Sequence, residues 1–291
     1  SLTNDTEGQG QYDLCLAVSP VDPKLVFIGG INIWKSLDSG STFSLITHWY
    51  GGYQKPYVHA DIHDLKFKDE NTVYTTNDGG INRTTNLGLT WKALNDGLNI
   101  TQFYRISVFQ SNLPVVIGGT QDNGTKFYEN STWYKLQGGD GMECIIDPTN
   151  KNRLYASVYN GSFSRSTDGG ASFSQMINTN RTGEYGAWVA PLQMDQQRPN
   201  VIYAGFENVW KSTNYGVNGS WTKISSWGQK NVGLQTIALS STDSNVIYAA
   251  NLSTVYATFD GGANWKVVYG SSEAAITYIV VDHKNPKRIF V

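Results

Sequence analysis

At 291 residues, with 13% aromatic and only 16% charged residues, the chain is long enough for one large all-β domain or two ordinary ones. Its formal charge is −2 and it holds no Lys/Arg run, which excludes the basic field that nucleic acid or an anionic membrane surface requires. No apolar run reaches the ~18–20 residues that cross a bilayer, and no stretch carries the long 3.6-residue period of an amphipathic helix, so neither membrane insertion nor a helical fold is expected.

The first ten residues, SLTNDTEGQG, have little strand character. A first unit then covers about 11–47, where CLAVSPVDPKLVFIGG reads as strand, Asp-Pro turn and apolar strand, followed by the turn motif SLDSGSTF at 36–43. The same order recurs at about 59–95, 102–137, 141–178, 186–226 and 233–269. It is strand A, tight turn, strand B, short loop, strand C, glycine turn, strand D. It begins once more at 275–291 and stops after two strands. A period of about 40–50 residues marks a propeller or solenoid.

The glycine turn reads Ser/Thr-x-Asp/Asn-x-Gly and then an aromatic, as TTNLGLTW at 84–91, STDGGASF at 166–173, STNYGVNGSW at 212–221 and TFDGGANW at 258–265. Its pivotal pairs are Asp38 and Gly40, Asn86 and Gly88, Asp168 and Gly170, Asn214 and Gly216, and Asp260 and Gly262. The Asp/Asn positions fall 48, 82, 46 and 46 residues apart, and the gap of 82 holds the unit at 102–137, whose FYENSTWYKL keeps the closing aromatic and drops the glycine. Glycine supplies a positive φ and the Asp or Asn side chain ties the turn to local backbone, so these positions read as structural. The Trp or Phe is expected to plug the gap between neighbouring blades, with Trp91, Trp221 and Trp265 in the blade cores. The fold expected is an all-β β-propeller of four-stranded antiparallel blades, about seven of them, the last incomplete, in a single domain that is a segment of a longer protein. Cys15 and Cys144, near the middle of innermost strands in non-adjacent blades, read as two buried free thiols, since a disulfide needs Cα atoms within about 7 Å.

In such a meander the A–B and C–D turns share one face, so binding residues are sought on the other, among the B–C and D–A loops. The long loop HWYGGYQKPYVHADIHDL at 48–65 sets His59, Asp61 and His63 at alternate positions, hence on one side of an extended segment. That set suits a divalent cation such as calcium or zinc, and equally a hydrogen-bonded histidine pair at the channel mouth. No other cofactor is suggested. NDGG, TQDNG and GGDG place Asp78, Gln121, Asp122 and Asp140 in tight loops, where turn chemistry accounts for each motif alone. Together Asp61, Asp78, Asp122 and Asp140 are candidate catalytic carboxylates, because a glycosidase needs two of them about 5–10 Å apart. Trp49, Tyr50, Tyr53 and Tyr57, with Gln121, Tyr185 and Trp188, offer ring faces and an amide to a sugar or a peptide.

The glycine turn resembles the Asp-box (BNR) repeat of sialidases, xyloglucanases and the sortilin luminal domain. YVHADIHDL, NDGGI, GGTQDNG and GGDG, in that order, resemble the sortilin-related Asp-box propellers secreted by Bacteroidota, over nearly the whole chain. The resemblance implies export to the cell surface or medium by type nine secretion, with a C-terminal sorting domain that this chain lacks. Sialidases need an arginine trio; here Arg105 lies on an inner strand, and Arg83 and Arg165 just precede Asp boxes. Xyloglucanases place Asp pairs between two propellers, and their catalytic segments have no match here. The reading is therefore a secreted or cell-surface module that binds a protein or glycan on the face away from the Asp boxes. The alternative is a polysaccharide-active glycoside hydrolase using an Asp pair at the channel mouth.

Overall fold

The computed structural model describes residues 9–227, 229–270 and 274–291. They fold as antiparallel β-meanders in two compact units, Ser1–Ile100 and Thr101–Val291. In the first unit one sheet comprises β1 (Cys15–Val18), β2 (Val26–Gly29), β3 (Ile33–Ser36) and β4 (Ser44–Leu45). The next comprises β5 (Ile62–Phe67), β6 (Val73–Asn77), β7 (Gly80–Thr84) and β8 (Lys92–Ala93). The second unit opens with β9 (Phe103–Phe109), β10 (Val115–Thr120), β11 (Gly124–Glu129) and β12 (Thr132–Gln137). Then come β13 (Cys144–Asp147), β14 (Asn150–Val158), β15 (Ser162–Ser166) and β16 (Ser174–Ile177), and one short helix, α1 (Thr179–Thr182). Two more sheets follow, β17 (Leu192–Met194), β18 (Ile202–Gly205), β19 (Val209–Ser212), β20 (Trp221–Lys223) and β21 (Thr236–Leu239), β22 (Ile247–Ala250), β23 (Thr254–Thr258), β24 (Lys266–Gly270). A two-stranded sheet, β25 (Val280–Val281) and β26 (Ile289–Phe290), completes the described chain.

This is a β-propeller: four-stranded blades in chain order, with the last one incomplete. Innermost strands of successive sheets touch, β1 on β5 in the first unit, and β9, β13, β17, β21 and β25 in series in the second. The core lies between the sheets. Phe27 and Ile33 pack against Ile62, Leu65 and Val73, while Ile117 and Phe127 pack against Cys144, Ile146 and Leu154. The second strands of two blades, β18 (IYAG) and β22 (IYAA), are covered on both faces and buried at every residue. Each large side chain fully buried there contributes about 1.5–3 kcal/mol. Among the described residues no helix is long and apolar enough to cross a membrane.

The Asp boxes are the C–D turns, and their buried hub is the first residue. Ser36, Thr84, Ser166, Ser212 and Thr258 are 0–2% exposed. Each hydroxyl accepts the amide of the glycine four residues on, at 2.8–3.1 Å. In four boxes it donates to the Asp or Asn Oδ1 at 2.6–2.9 Å; Ser212 bonds Ser220 Oγ instead, at 2.6 Å. The carboxylates sit outside this hub. The Thr42 hydroxyl and amide hold Asp38 down to about 2, and the Asn264 amide and side chain do the same for Asp260. The residue before the glycine also has positive φ, from 51° at Tyr215 to 74° at Gly261, and its amide donates to the A–B turn at Lys24, Asn71, Asn152, Asn200 or Asn245. Asp boxes and A–B turns therefore share one end of every sheet that has a box.

Three expectations need correction. The box-less sheet turns on Asn130 and Ser131, both with positive φ, and its aromatic Trp133 is half exposed against Phe103 and Tyr128; Leu136 fills the gap between sheets instead. Cys144 is buried but Cys15 only partly so, although both are free thiols. Both begin their strands rather than centring them. The weak strand character read for residues 1–8 lies outside the described residues.

Candidate functional site

In the first unit the D–A loop between β4 and β5 is built around His48, which is 6% exposed. Its amide donates to Pro56 O at 3.0 Å, and the Trp49 amide donates to Asn32 Oδ1 at 2.8 Å, tying this loop to the B–C loop of the sheet before. The imidazole lies 4.0 Å from the Tyr50 ring, 5.1 Å from Tyr53 and 6.4 Å from Trp49, and its Nδ1 accepts the Tyr50 amide at 3.4 Å. A buried imidazole thus fixes three rings that remain 48–70% exposed, with Tyr57 at 54% beside them. Rings in such offset and edge contacts keep their faces free for a ligand.

His59, Asp61 and His63 do not share one face of a strand. Asp61 is left-handed (φ 62°), and the β5–β6 register shifts between Ile62 and Asp64, so the alternation that aligns them is broken. His63 Nε2 pairs with Asp78 Oδ1 at 2.5 Å, its Nδ1 lies 3.3 Å from Tyr12 O, and the Tyr12 hydroxyl donates to Asp78 Oδ2 at 3.0 Å. The His59 ring packs on Gly79. Among the described residues no group of three His, Cys, Asp or Glu side chains converges as a metal needs, so the residues present do not fit a divalent cation. What forms instead is a polar clasp. Gln9 Nε2 donates to Asp61 Oδ1 at 2.8 Å and to the buried Asp13 at 3.2 Å. Burial, then the charges of Asp13 and Asp78, push the Asp61 carboxyl up to about 6. The hydrogen bond that His63 donates to Asp78 raises its imidazole above its ordinary value.

Asp122 and Asp140 belong to the second unit, where the TQDNG and GGDG loops interlock. Asp140 Oδ1 accepts the Asp122 amide at 2.8 Å, and the Gly141 amide donates to Thr120 O at 3.0 Å. A Cβ on Gly119 would lie 2.0 Å from Met142 O, and one on Gly141 2.5 Å from Gly124 O. These glycines let backbone meet backbone. Gln121 braces the same turn, donating its amide to Gln102 and accepting from Asn123 at 2.7 Å. This half of the acidic set is therefore engaged in loop packing.

Tyr185 and Trp188 precede β17 on the D–A side. Trp188 stacks on Tyr159 with centroids 5.4 Å apart and planes 8° off parallel, and its indole N–H donates to Tyr104 Oη at 3.2 Å. The loop carrying them is anchored by two glutamates that the sequence analysis does not single out. Glu184, buried, accepts the Asn208 amide and side chain, the Trp210 indole N–H and Lys223 Nζ at 2.9–3.3 Å. Glu207 Oε1 accepts the amides of Tyr185 and Asn231, at 3.3 and 2.7 Å. An acid flanked by aromatics and glycine, as in RTGEYGAW, is the one available sequence signal for Glu184.

No protein-family model and no curated protein matches the sequence. Solved structures with a similar chain path include YCF48 from Cyanidioschyzon merolae (14% identity, TM-score 0.47, covering 93% of this chain and 90% of that one). They also include the extracellular domain of BT4673 from B. thetaiotaomicron (15%, 0.45, 94% and 38%) and the Niastella koreensis GH74 enzyme (15%, 0.34, 92% and 52%). The chain spans about half the length of that GH74 enzyme.

Proposed function

We propose that the chain is a secreted or cell-surface interaction module that holds a protein or glycan partner on its B–C and D–A loops, at the sheet ends away from the Asp boxes. The observation that carries this reading is the placement of exposed rings. Trp49, Tyr50, Tyr53 and Tyr57 in the first unit, and Tyr159, Tyr185 and Trp188 in the second, are 47–70% exposed, and all lie in those loops. Polar groups hold them: His48 and Glu184, both buried, and the half-buried Glu207. Side chains of this kind bury about 150–250 Å² each on contact, enough for a few rings to dominate an interface. The sequence resemblance to sortilin-related propellers exported by Bacteroidota supports the extracellular placement. The test is a solid-phase array of bacterial-surface glycans and peptides probed with the chain and with Trp49→Ala and Tyr57→Ala. Signals lost in these variants while melting temperature holds support the reading; signals indifferent to both, and to Tyr185→Ala and Trp188→Ala, contradict it.

A second reading is favoured by one observation. Asp61 is raised to about 6 by burial and by the charges of Asp13 and Asp78, and a carboxyl so raised near a second carboxylate is the raw material of a glycosidase. Release of reducing ends from a polysaccharide panel, abolished in both Asp61→Asn and Asp78→Ala, supports it. No release by the parent chain disposes of it.

A further inference from the structure

We infer that Tyr104, Arg105, Glu143, Tyr159, Trp188 and Tyr278 form a subsite in the second unit for one ring of a neutral oligosaccharide. This deepens the interaction-module reading and rests on it. Five come from the leading ends of inner strands and the segments before them, and Tyr159 from the loop between β14 and β15. A β-bulge brings the first two together: Gly119 pairs with Arg105 and Thr120 with Phe103, leaving Tyr104 as the extra residue of β9. Bulges of this kind re-aim side chains. The Tyr104 hydroxyl then takes the Trp188 indole N–H, while its carbonyl accepts Arg105 Nη1 at 2.8 Å. Arg105 Nε donates to Glu143 Oε1 at 3.1 Å, and the guanidinium carbon lies 6.0 Å from the Tyr278 centroid. Among the described residues Arg105 Nη2 has no hydrogen-bond partner.

Flat rings and a polar fork therefore adjoin. Tyr159 and Trp188 are offset-stacked and each about half exposed, a platform for the C–H face of a pyranose. The guanidinium of Arg105, whose side chain is 34% exposed, stands beside it as a planar donor for adjacent equatorial hydroxyls. Glu143 is only 10% exposed at its side chain, and burial pushes its carboxyl up to about 7 in spite of Arg105. Such a pair costs desolvation that an apolar pair would not. Its presence beside exposed rings is explained if a ligand completes its hydrogen bonds. The choice of a neutral sugar follows from the donors already taken: Glu143 Oε1 accepts from Arg105 Nε and the Tyr104 carbonyl from Nη1, so the Nε side of the fork is closed to the bidentate carboxylate of an acidic sugar or acidic peptide.

The test is calorimetric titration of the whole chain with cellohexaose, mannohexaose, hexagalacturonate and a hexaglutamate peptide. At least one neutral hexasaccharide binds. Trp188→Ala and Arg105→Met each weaken it about tenfold, the loss of one aromatic or fork contact. Trp188→Phe restores most of the affinity, and Asp168→Ala, at a blade end away from these loops, leaves it unchanged. Two results overturn the inference: no binding of either neutral hexasaccharide up to millimolar concentration, or affinity untouched in Trp188→Ala. Preference for hexagalacturonate or hexaglutamate also overturns it but leaves the interaction module standing; an array blank for every glycan and peptide removes both.

Discussion

Replacing Ser166 by alanine tests whether the hydroxyl, rather than the carboxylate that catches the eye in the motif, holds an Asp box together. The Ser166 side chain accepts the amides of Gly170 and Asp168 at 2.8 and 3.2 Å and donates to Asp168 Oδ1 at 2.6 Å. Alanine removes all three at a site 2% exposed, with one atom's worth of void. Each net hydrogen bond is worth about 1 kcal/mol, and the Gly170 amide loses its only side-chain acceptor, so the cost is about 2 kcal/mol. For a unit of this size that lowers the melting temperature by about 4–8 °C. Asp168→Ala leaves the hub in place and lowers it less. Differential scanning calorimetry of both variants decides the matter. A Ser166→Ala protein that melts within about 1 °C of its parent, or an Asp168→Ala protein that melts lower than Ser166→Ala, refutes the hub.

Stability of the first unit should fall as pH rises. Asp61 titrates at about 6 when folded against 3.8 ordinarily, so its contribution is whole below about pH 4 and is lost by about pH 6; half-exposure damps the size. His63, also raised, contributes below its ordinary 6.5 and loses it as pH climbs through the raised value. Asp61→Asn, which keeps an acceptor for Gln9, should remove the lower limb and raise the neutral-pH melting temperature; unchanged pH profiles contradict the clasp. Gly119→Ala should cost about 3 kcal/mol or more, because its Cβ falls 2.0 Å from Met142 O, and an urea midpoint equal to the parent's would show that the loops can part. Neither thiol should react with a thiol reagent at neutral pH without denaturant, since burial pushes Cys15 up to about 11 and Cys144 up to about 12; prompt labelling of Cys144 contradicts the packing.

Much of the fold is legible because the blade is a local device. Ser/Thr, Asp/Asn and glycine close a turn within five residues, so the pattern survives in any chain that needs that turn. Even the box-less sheet could be placed, although its Asn130–Ser131 turn and Leu136 plug could not, because Trp133 looked the better filler. The site was less legible for a different reason. Alternation of His59, Asp61 and His63 presumes an unbroken strand, and the bulge that breaks it is set by pairing with β6. Arg105 and Glu143 are 38 residues apart and meet only through contact of β9 with β13. Acids such as Glu184 and Glu207 are anchors for loops, which composition does not distinguish from solvated charge. The exposed rings were the exception: rings crowded into a glycine-rich loop cannot all find a core.

The central claim is that partners meet the ring-bearing loops and that the Asp-box ends only hold the blades together. Its most direct test is one binding profile, on a single array of glycans and peptides, of the parent chain, a Trp49→Ala/Trp188→Ala double variant and Asp168→Ala. The account predicts that the double variant loses the parent's signals and that Asp168→Ala keeps them. Signals retained by the double variant and lost by Asp168→Ala would put the function at the opposite end of the blades.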